Sequence, residues 1–365
     1  MPSERRDFAC GIIEGFYGQA WSWDARADYA SFLKEGGFDF YVYAPKTDAH
    51  LRKAWREDWP AAEWRALERL RADYRERGVG FGMGLTPYGT QTDYGPSARA
   101  ELRRKMARIG ELEPDLLAVL FDDVPGIAPD LAERQVAIAH DAREASRAAS
   151  FLFCPTYYSE DPVLESALGP MPSRYLEELG KRLDPEIEIF WTGPRICSRE
   201  YTLAHLSDVA ARLGRKPFLW DNYPVNDGPR MCRYLHLRAV AGRPPALREW
   251  TRGLAANPMN QPQLSKIPLL TLRESLATER GYEPAAAFRK AARAVCGPAL
   301  ADALEEDLAA LHDEGLGALD ASRRTALRAR YAGFEEPCAR EVVEWLDGVF
   351  EASKQVLAEF DGWDV

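Results

Sequence analysis

"LLAVLFDDVPG", residues 116–126, decides how the rest of the chain is read. Leu116 to Phe121 is a short, wholly apolar run, as expected of a strand buried on both faces, and Pro125 and Gly126 just beyond it signal a turn. Between them stand two aspartates, Asp122 and Asp123. Neighbours on a strand point to opposite faces, so the two carboxyls can serve one site only if the strand ends between them and the chain turns there.

Working outward, the same pattern recurs. Apolar runs at Phe8–Phe16, Phe38–Pro45, Gly80–Pro87, Leu116–Asp122, Phe151–Tyr157, Glu188–Gly193, Pro217–Asp221 and, less clearly, Gly253–Asn257 alternate with amphipathic stretches. Those stretches predict helices over Asp24–Glu35, Ala61–Arg77, Ser97–Glu113, Asp130–Ala149, Pro172–Arg182 and Leu203–Leu213, with Ser22 and Asp130 as N-caps and Gly78 and Gly214 as stops. Eight such units predict a (β/α)8 TIM barrel, an α/β fold, over residues 1–280. After Arg280 the sequence turns to alanine, leucine and charge at helical spacing, with breaks near Gly297-Pro298, Gly315–Gly317 and Glu336-Pro337. Residues 281–365 therefore read as a C-terminal α-helical bundle, its longest helix "REVVEWLDGVFEASKQVLAEF" and its core stripe Val342, Val343, Leu346, Val349 and Phe350.

Composition narrows the function. With 57 acidic against 47 basic residues the formal charge is −10, which argues against a nucleic-acid partner. The N-terminal stretch has neither a signal-peptide core nor a membrane span, so a cytoplasmic location and no membrane partner are expected. Six cysteines lie far apart without a CxxC pair, and five histidines show no HExxH, so reduced thiols, no metal and no cofactor are expected.

Barrel enzymes assemble their sites at the carboxyl ends of strands, and here nearly every run ends in polar and aromatic residues: "EGFYG", "YAPKTD", "FDDVPG", "CPTYY", "WTGP", "WDNYPVND", "AANPMN". Lys46, Tyr158, Trp220, Asn222, Asp227 and Asn257 form an inventory for gripping a sugar. Glycosidases usually place two carboxyls across the scissile bond, which adjacent residues rarely do. A substrate whose C2 acetamido oxygen attacks its own anomeric carbon removes that need. One carboxyl then orients the acetamide while its neighbour, kept protonated by the first one's charge, acts as general acid.

"GIIEGFYGQAW", "YAPKTD", "LFDDV", "FLFCPTYY", "WTGP", "WDNYPVND" and "NPMN", in this order from about Phe8 to Leu276, resemble the catalytic barrel of the glycoside hydrolase family 84 β-N-acetylglucosaminidases, the O-GlcNAcases. The resemblance implies that Asp122 orients the acetamido N–H and that Asp123 is the general acid and then the base. It further implies that Tyr158 bonds the acetamido oxygen, that Cys154 and Trp220 surround its methyl group, and that Asn222 fixes the same side. Gly15 through its backbone and Lys46 through its ammonium match contacts to sugar hydroxyls, and Asp227 and Asn257 match partners of the O4 and O6 side. Ala20, Thr47 and Tyr157 depart from the family pattern, on the aglycone side. The implied activity is a retaining exo-hydrolase of terminal β-GlcNAc on a glycoconjugate or glycoprotein, through an oxazoline. An endo-acting hyaluronidase-like enzyme and a non-catalytic GlcNAc-binding protein stay open as alternatives, as does a homodimer formed through the helical tail. Structural readings also stay open: Lys46 as an ion-pair partner, Tyr158 and Trp220 as core aromatics, Cys154 as a small buried hydrophobe, Asp227 as a turn cap.

Overall fold

The eight apolar runs form eight parallel strands in a computed structural model that describes residues 8–126 and 129–359. They are β1 (Ala9–Glu14), β2 (Phe40–Tyr43), β3 (Gly80–Leu85), β4 (Leu116–Leu120), β5 (Ser150–Cys154), β6 (Ile187–Trp191), β7 (Phe218–Asp221) and β8 (Gly253–Ala256). Each pairs with the next, and β8 returns to β1 in the register Gly11↔Ala255 and Ile12↔Ala256, closing the barrel. Burial on both faces explains why "LLAVL" and "SFLFC" carry no polar alternation within the strand.

Helices α1 (Trp23–Glu35), α2 (Ala61–Arg77), α3 (Pro96–Gly110), α4 (Leu131–Ala145), α5 (Pro162–Leu168), α6 (Tyr175–Arg182) and α7 (Leu203–Leu213) wrap the outside. Two short helices, α8 (Gly228–Met231) and α9 (Leu247–Trp250), lie between β7 and β8, and α10 (Pro262–Ala277) follows β8. Ser22 caps α1 by accepting from the Ala25 N–H at 3.1 Å, and Gly78 and Gly214 end α2 and α7 in left-handed conformation. Asp130 holds the cap position of α4 without capping it: its backbone, at φ −98° and ψ 21°, is not extended, and its carboxylate pairs with Arg134 at 2.9 Å instead.

The tail forms α11 (Pro284–Glu306), α12 (Ala321–Tyr331), α13 (Pro337–Leu346) and α14 (Lys354–Glu359). The predicted long helix from Arg340 is two: α13 ends at Leu346, Gly348 turns the chain at φ 82°, and α14 begins only at Lys354. Phe360, its last residue, lies outside the described residues. The longest tail helix is α11, 23 residues with a kink at Gly297 (φ 74°) before Pro298. Val342, Leu346 and Phe350 are buried and Val343 packs at their edge, but Val349 is 48% exposed and leaves the stripe. The bundle core is shared with the barrel: Leu300, Leu304, Leu311, Tyr331, Val342 and Trp345 pack with Leu235, Leu237, Met259, Leu264 and Ile267. The bundle thereby seats on α10 and on the connection between β7 and β8.

Candidate active site

Strand β4 stops at Leu120, and Asp123 takes a left-handed backbone at φ 58°. Aspartate is among the few side chains that tolerate this conformation, which bulkier residues avoid. The turn resolves the geometric objection: both carboxyls line one pocket at the carboxyl ends of the strands. Gly15, Cys154, Tyr158, Trp220, Asn222, Asp227 and Asn257 share its wall. Lys46 stands just behind, its buried ammonium paired with Asp122 Oδ2 and 5.7 Å from the Trp220 ring centroid. The ion-pair reading of Lys46 is thus what the structure displays. Asp122 Oδ1, also buried, has no hydrogen-bond partner among the described residues.

Asp123 is held at both oxygens. Tyr158 donates to Oδ1 at 2.8 Å and Tyr17 to Oδ2 at 3.1 Å. Burial, and then the charge of Asp122, raise the Asp123 carboxyl above the usual carboxylate range, against the opposing pull of Lys46, the Tyr158 hydrogen bond and Arg52. Asp227 is pushed up to about 7, chiefly by burial, although it accepts the Tyr17 N–H at 2.7 Å. That bond, rather than a cap, occupies its carboxylate: it precedes α8 without capping it.

The opposite wall is an amide chain across the barrel seam. The Gly15 N–H donates to Asn257 Oδ1 at 3.2 Å, Asn257 Nδ2 to Asn222 Oδ1 at 3.0 Å, and Trp220 Nε1 to the same oxygen at 2.9 Å. Asn222 Nδ2 donates in turn to the Ile196 carbonyl at 3.1 Å. Phe190 meets Trp220 edge-on, 5.3 Å between centroids, and fixes its ring as an apolar panel. Gly15 cannot carry a side chain here: a Cβ would lie 2.5 Å from the Trp220 ring. Beneath these residues, buried ion pairs anchor the strand ends. Glu14 binds Arg26 through two hydrogen bonds of 2.7 and 2.9 Å, and Asp221 binds Arg243 through another two of the same lengths.

Sequence reasoning missed Tyr17, Ile196, Cys197 and the α8 residues Gly228 to Met231, all of which line the pocket. Tyr17 had a usable signal, since it lies in the same "EGFYG" string as Gly15; the others sit in long connections with no periodicity to read. Three further residues near strand ends have structural tasks. Trp21 donates to the Met259 carbonyl, Trp191 to His205, and Arg195 pairs with Asp161 at the surface. Tyr157 is turned away, donating to the Gly169 carbonyl at 2.7 Å. All six cysteines are free thiols, Cys197 alone exposed. Among the described residues no cluster of His, Cys, Asp or Glu is arranged to hold a metal ion, and no helix is long and apolar enough to cross a membrane.

The chain is 30% identical over 276 residues to the protein O-GlcNAcase of Rattus norvegicus, and equally to that of Mus musculus, an alignment covering 73% of this chain. It spans about 30% of the length of those relatives. An O-GlcNAc hydrolase mutant from Thermobaculum terrenum superposes with a TM-score of 0.75 at 28% identity, over 97% of this chain and 80% of that one. The family model for β-N-acetylglucosaminidase matches residues 10–310, which takes in all eight strands but for the first residue of β1 and every pocket residue named above, and the chain belongs to that family of glycoside hydrolases.

Proposed function

We propose that the chain is a retaining, exo-acting β-N-acetylglucosaminidase that removes terminal β-linked GlcNAc, including from serine and threonine of proteins, with the substrate's own acetamido group as nucleophile. The observation that carries this reading is Asp122, a residue of the pocket wall: one of its oxygens is fixed by Lys46, and the other is buried and unpartnered among the described residues. An acceptor left this way is costly unless a donor arrives, and an acetamido N–H is such a donor. Accepting it makes the acetamido carbonyl a better nucleophile, which attacks C1 to form an oxazoline as the glycosidic bond breaks. Asp123, its proton retained by burial and by the neighbouring charge, gives that proton to the departing oxygen. It then removes one from the water that opens the oxazoline. Trp220 faces the acetamido methyl group, and Asp227 and Asn257 hold the O4 and O6 side, which suits an enclosed terminal sugar.

Release of 4-nitrophenol from its β-GlcNAc glycoside checks this. Asp123→Asn should lower turnover of this substrate by about 10²–10⁴-fold, because the base that opens the oxazoline is lost, and an N-trifluoroacetyl substrate should react more slowly with the unaltered protein, because fluorine weakens the attacking carbonyl. Equal rates for the acetyl and trifluoroacetyl substrates would overturn substrate assistance. New reducing ends from hyaluronan without terminal GlcNAc release would favour an endo-acting enzyme, and GlcNAc binding without turnover a mere binding protein.

A further inference from the structure

Arg52 follows the short turn Ala49–Leu51 after β2, is almost wholly buried, and does not line the pocket itself but faces the ring of Tyr17, which does. Its guanidinium lies 5.4 Å from the centroid of Tyr17 and 5.8 Å from that of Tyr88, held between two aromatic faces. One end of the guanidinium is tied down from far along the chain: Nη1 donates to Glu359 Oε2 at 2.6 Å, while Lys53 meets the other Glu359 oxygen. Glu359 is the last residue of α14, which also packs on α8 at the rim of the pocket. On its other side, the Tyr17 hydroxyl donates to Asp123 Oδ2. A continuous chain of contacts thus runs from the C-terminal helix through a cation and a ring to the second aspartate.

We infer that Arg52 is a positioning residue for the acid/base: clamped by Glu359, it seats the Tyr17 ring so that its hydroxyl holds Asp123 in line with the glycosidic oxygen. This rests on the assignment of Asp123 as general acid. A buried ion pair is a poor stabiliser compared with apolar groups of the same shape, so what this one supplies is geometry. Proton transfer is sensitive to it, since a displacement of about 1 Å can cost 10²-fold in rate. The groups that face Asp123 are Asp122 on its own turn, Lys46 and Arg52 after β2, Tyr17 after β1, Cys154 at the end of β5 and Tyr158 after it, and Asp227 after β7. Of these only Lys46 and Arg52 are cations.

The test compares kcat/KM for two aryl β-GlcNAc glycosides, 4-nitrophenyl, which leaves readily, and phenyl, which needs the acid. Asp123→Asn should lose far more rate on the phenyl glycoside. Arg52→Met should reproduce that selective loss at about tenfold, with the alkaline limb of its pH profile moved upward because a cation favouring the Asp123 carboxylate is gone. Tyr17→Phe should show the same selectivity, and the Arg52→Met/Tyr17→Phe double variant no further loss, as for groups acting in series. Glu359→Gln should give a smaller loss of the same kind, and none in the Arg52→Met background. If Arg52→Met does not fold, the Glu359→Gln and Tyr17→Phe pair carries the cycle. Equal losses on both glycosides, or additive ones in the cycle, would leave Arg52 a structural residue and overturn the inference. If Asp123→Asn is itself unselective, the acid assignment falls as well; if it is selective and Arg52→Met is not, only the positioning role falls.

Discussion

In the barrel the charges beneath the strand ends are buried in pairs: Glu14 with Arg26, Lys46 with Asp122, Asp221 with Arg243, each side chain 8% exposed or less. In the bundle, pairs such as Arg289–Glu305 and Arg293–Asp302 lie on the outside, each side chain at least 40% exposed, and the interior is leucine, alanine, tyrosine and tryptophan. The difference separates two tasks. Apolar packing holds a bundle together without dictating where any one atom sits to a few tenths of an ångström. The barrel must aim Gly15, Trp220, Asn222 and Asp122, and a bidentate guanidinium–carboxylate pair fixes direction as well as distance. Glu341 is the exception that joins them. It is a buried bundle carboxylate that accepts the Gln263 and Leu264 N–H groups, each at 2.8 Å, and so caps the barrel's α10 from α13.

The contrast can be broken where it is strongest. Arg26→Met would leave Glu14 buried without its cation, with the Tyr41 hydroxyl still donating to it, and should cost about 3–5 kcal/mol in chemical denaturation. The Glu14→Gln/Arg26→Met double variant should recover much of that, and a single variant as stable as the unaltered protein would show that the barrel does not depend on its pairs. Glu341→Ala leaves two helix-start N–H groups without their acceptor, a loss of about 1–3 kcal/mol to be read in the thermal midpoint. Glu341 also predicts a pH trend, because burial pushes its carboxyl up to about 8 from an ordinary 4.5. A group raised in the folded state contributes stability in full below its unfolded value and loses it as pH rises through the folded one. The midpoint should therefore fall between about pH 5 and 9, and Glu341→Gln should flatten that fall. The smallest effect belongs to the bundle's surface: Arg293→Ala, removing one of the exposed pairs, should change stability by no more than about 0.5 kcal/mol.

The barrel was legible because parallel strands buried on both faces are written as unbroken apolar runs. Even the faintest, around Gly253–Ala256, is β8. The pocket was legible for a related reason, since polar and aromatic residues gather where such runs stop, and all the predicted site residues except Lys46 stand on its wall. Three kinds of feature were not legible. Apolar spacing continues through Val349 and Phe350, so periodicity alone could not see one left-handed glycine divide the last long helix. Pro125 and Gly126 announced a turn, but not that Asp123 itself would adopt the left-handed conformation. Partners such as Arg26 for Glu14 or Glu359 for Arg52 are chosen by tertiary closure, which no local pattern encodes.

The amide chain across the seam has a consequence for how the protein is made. Gly15 and Asn257 meet over 242 positions of sequence, and Tyr17 and Asp227 over 210. The Trp345 side chain, later still, donates to the Cys232 carbonyl in the connection that carries Asp227. During synthesis the two aspartates that follow β4 emerge first, while the wall facing them waits for β8 and its outer support for α13. Contacts of such long separation form slowly. The two aspartates therefore leave the ribosome before the pocket that surrounds them can close.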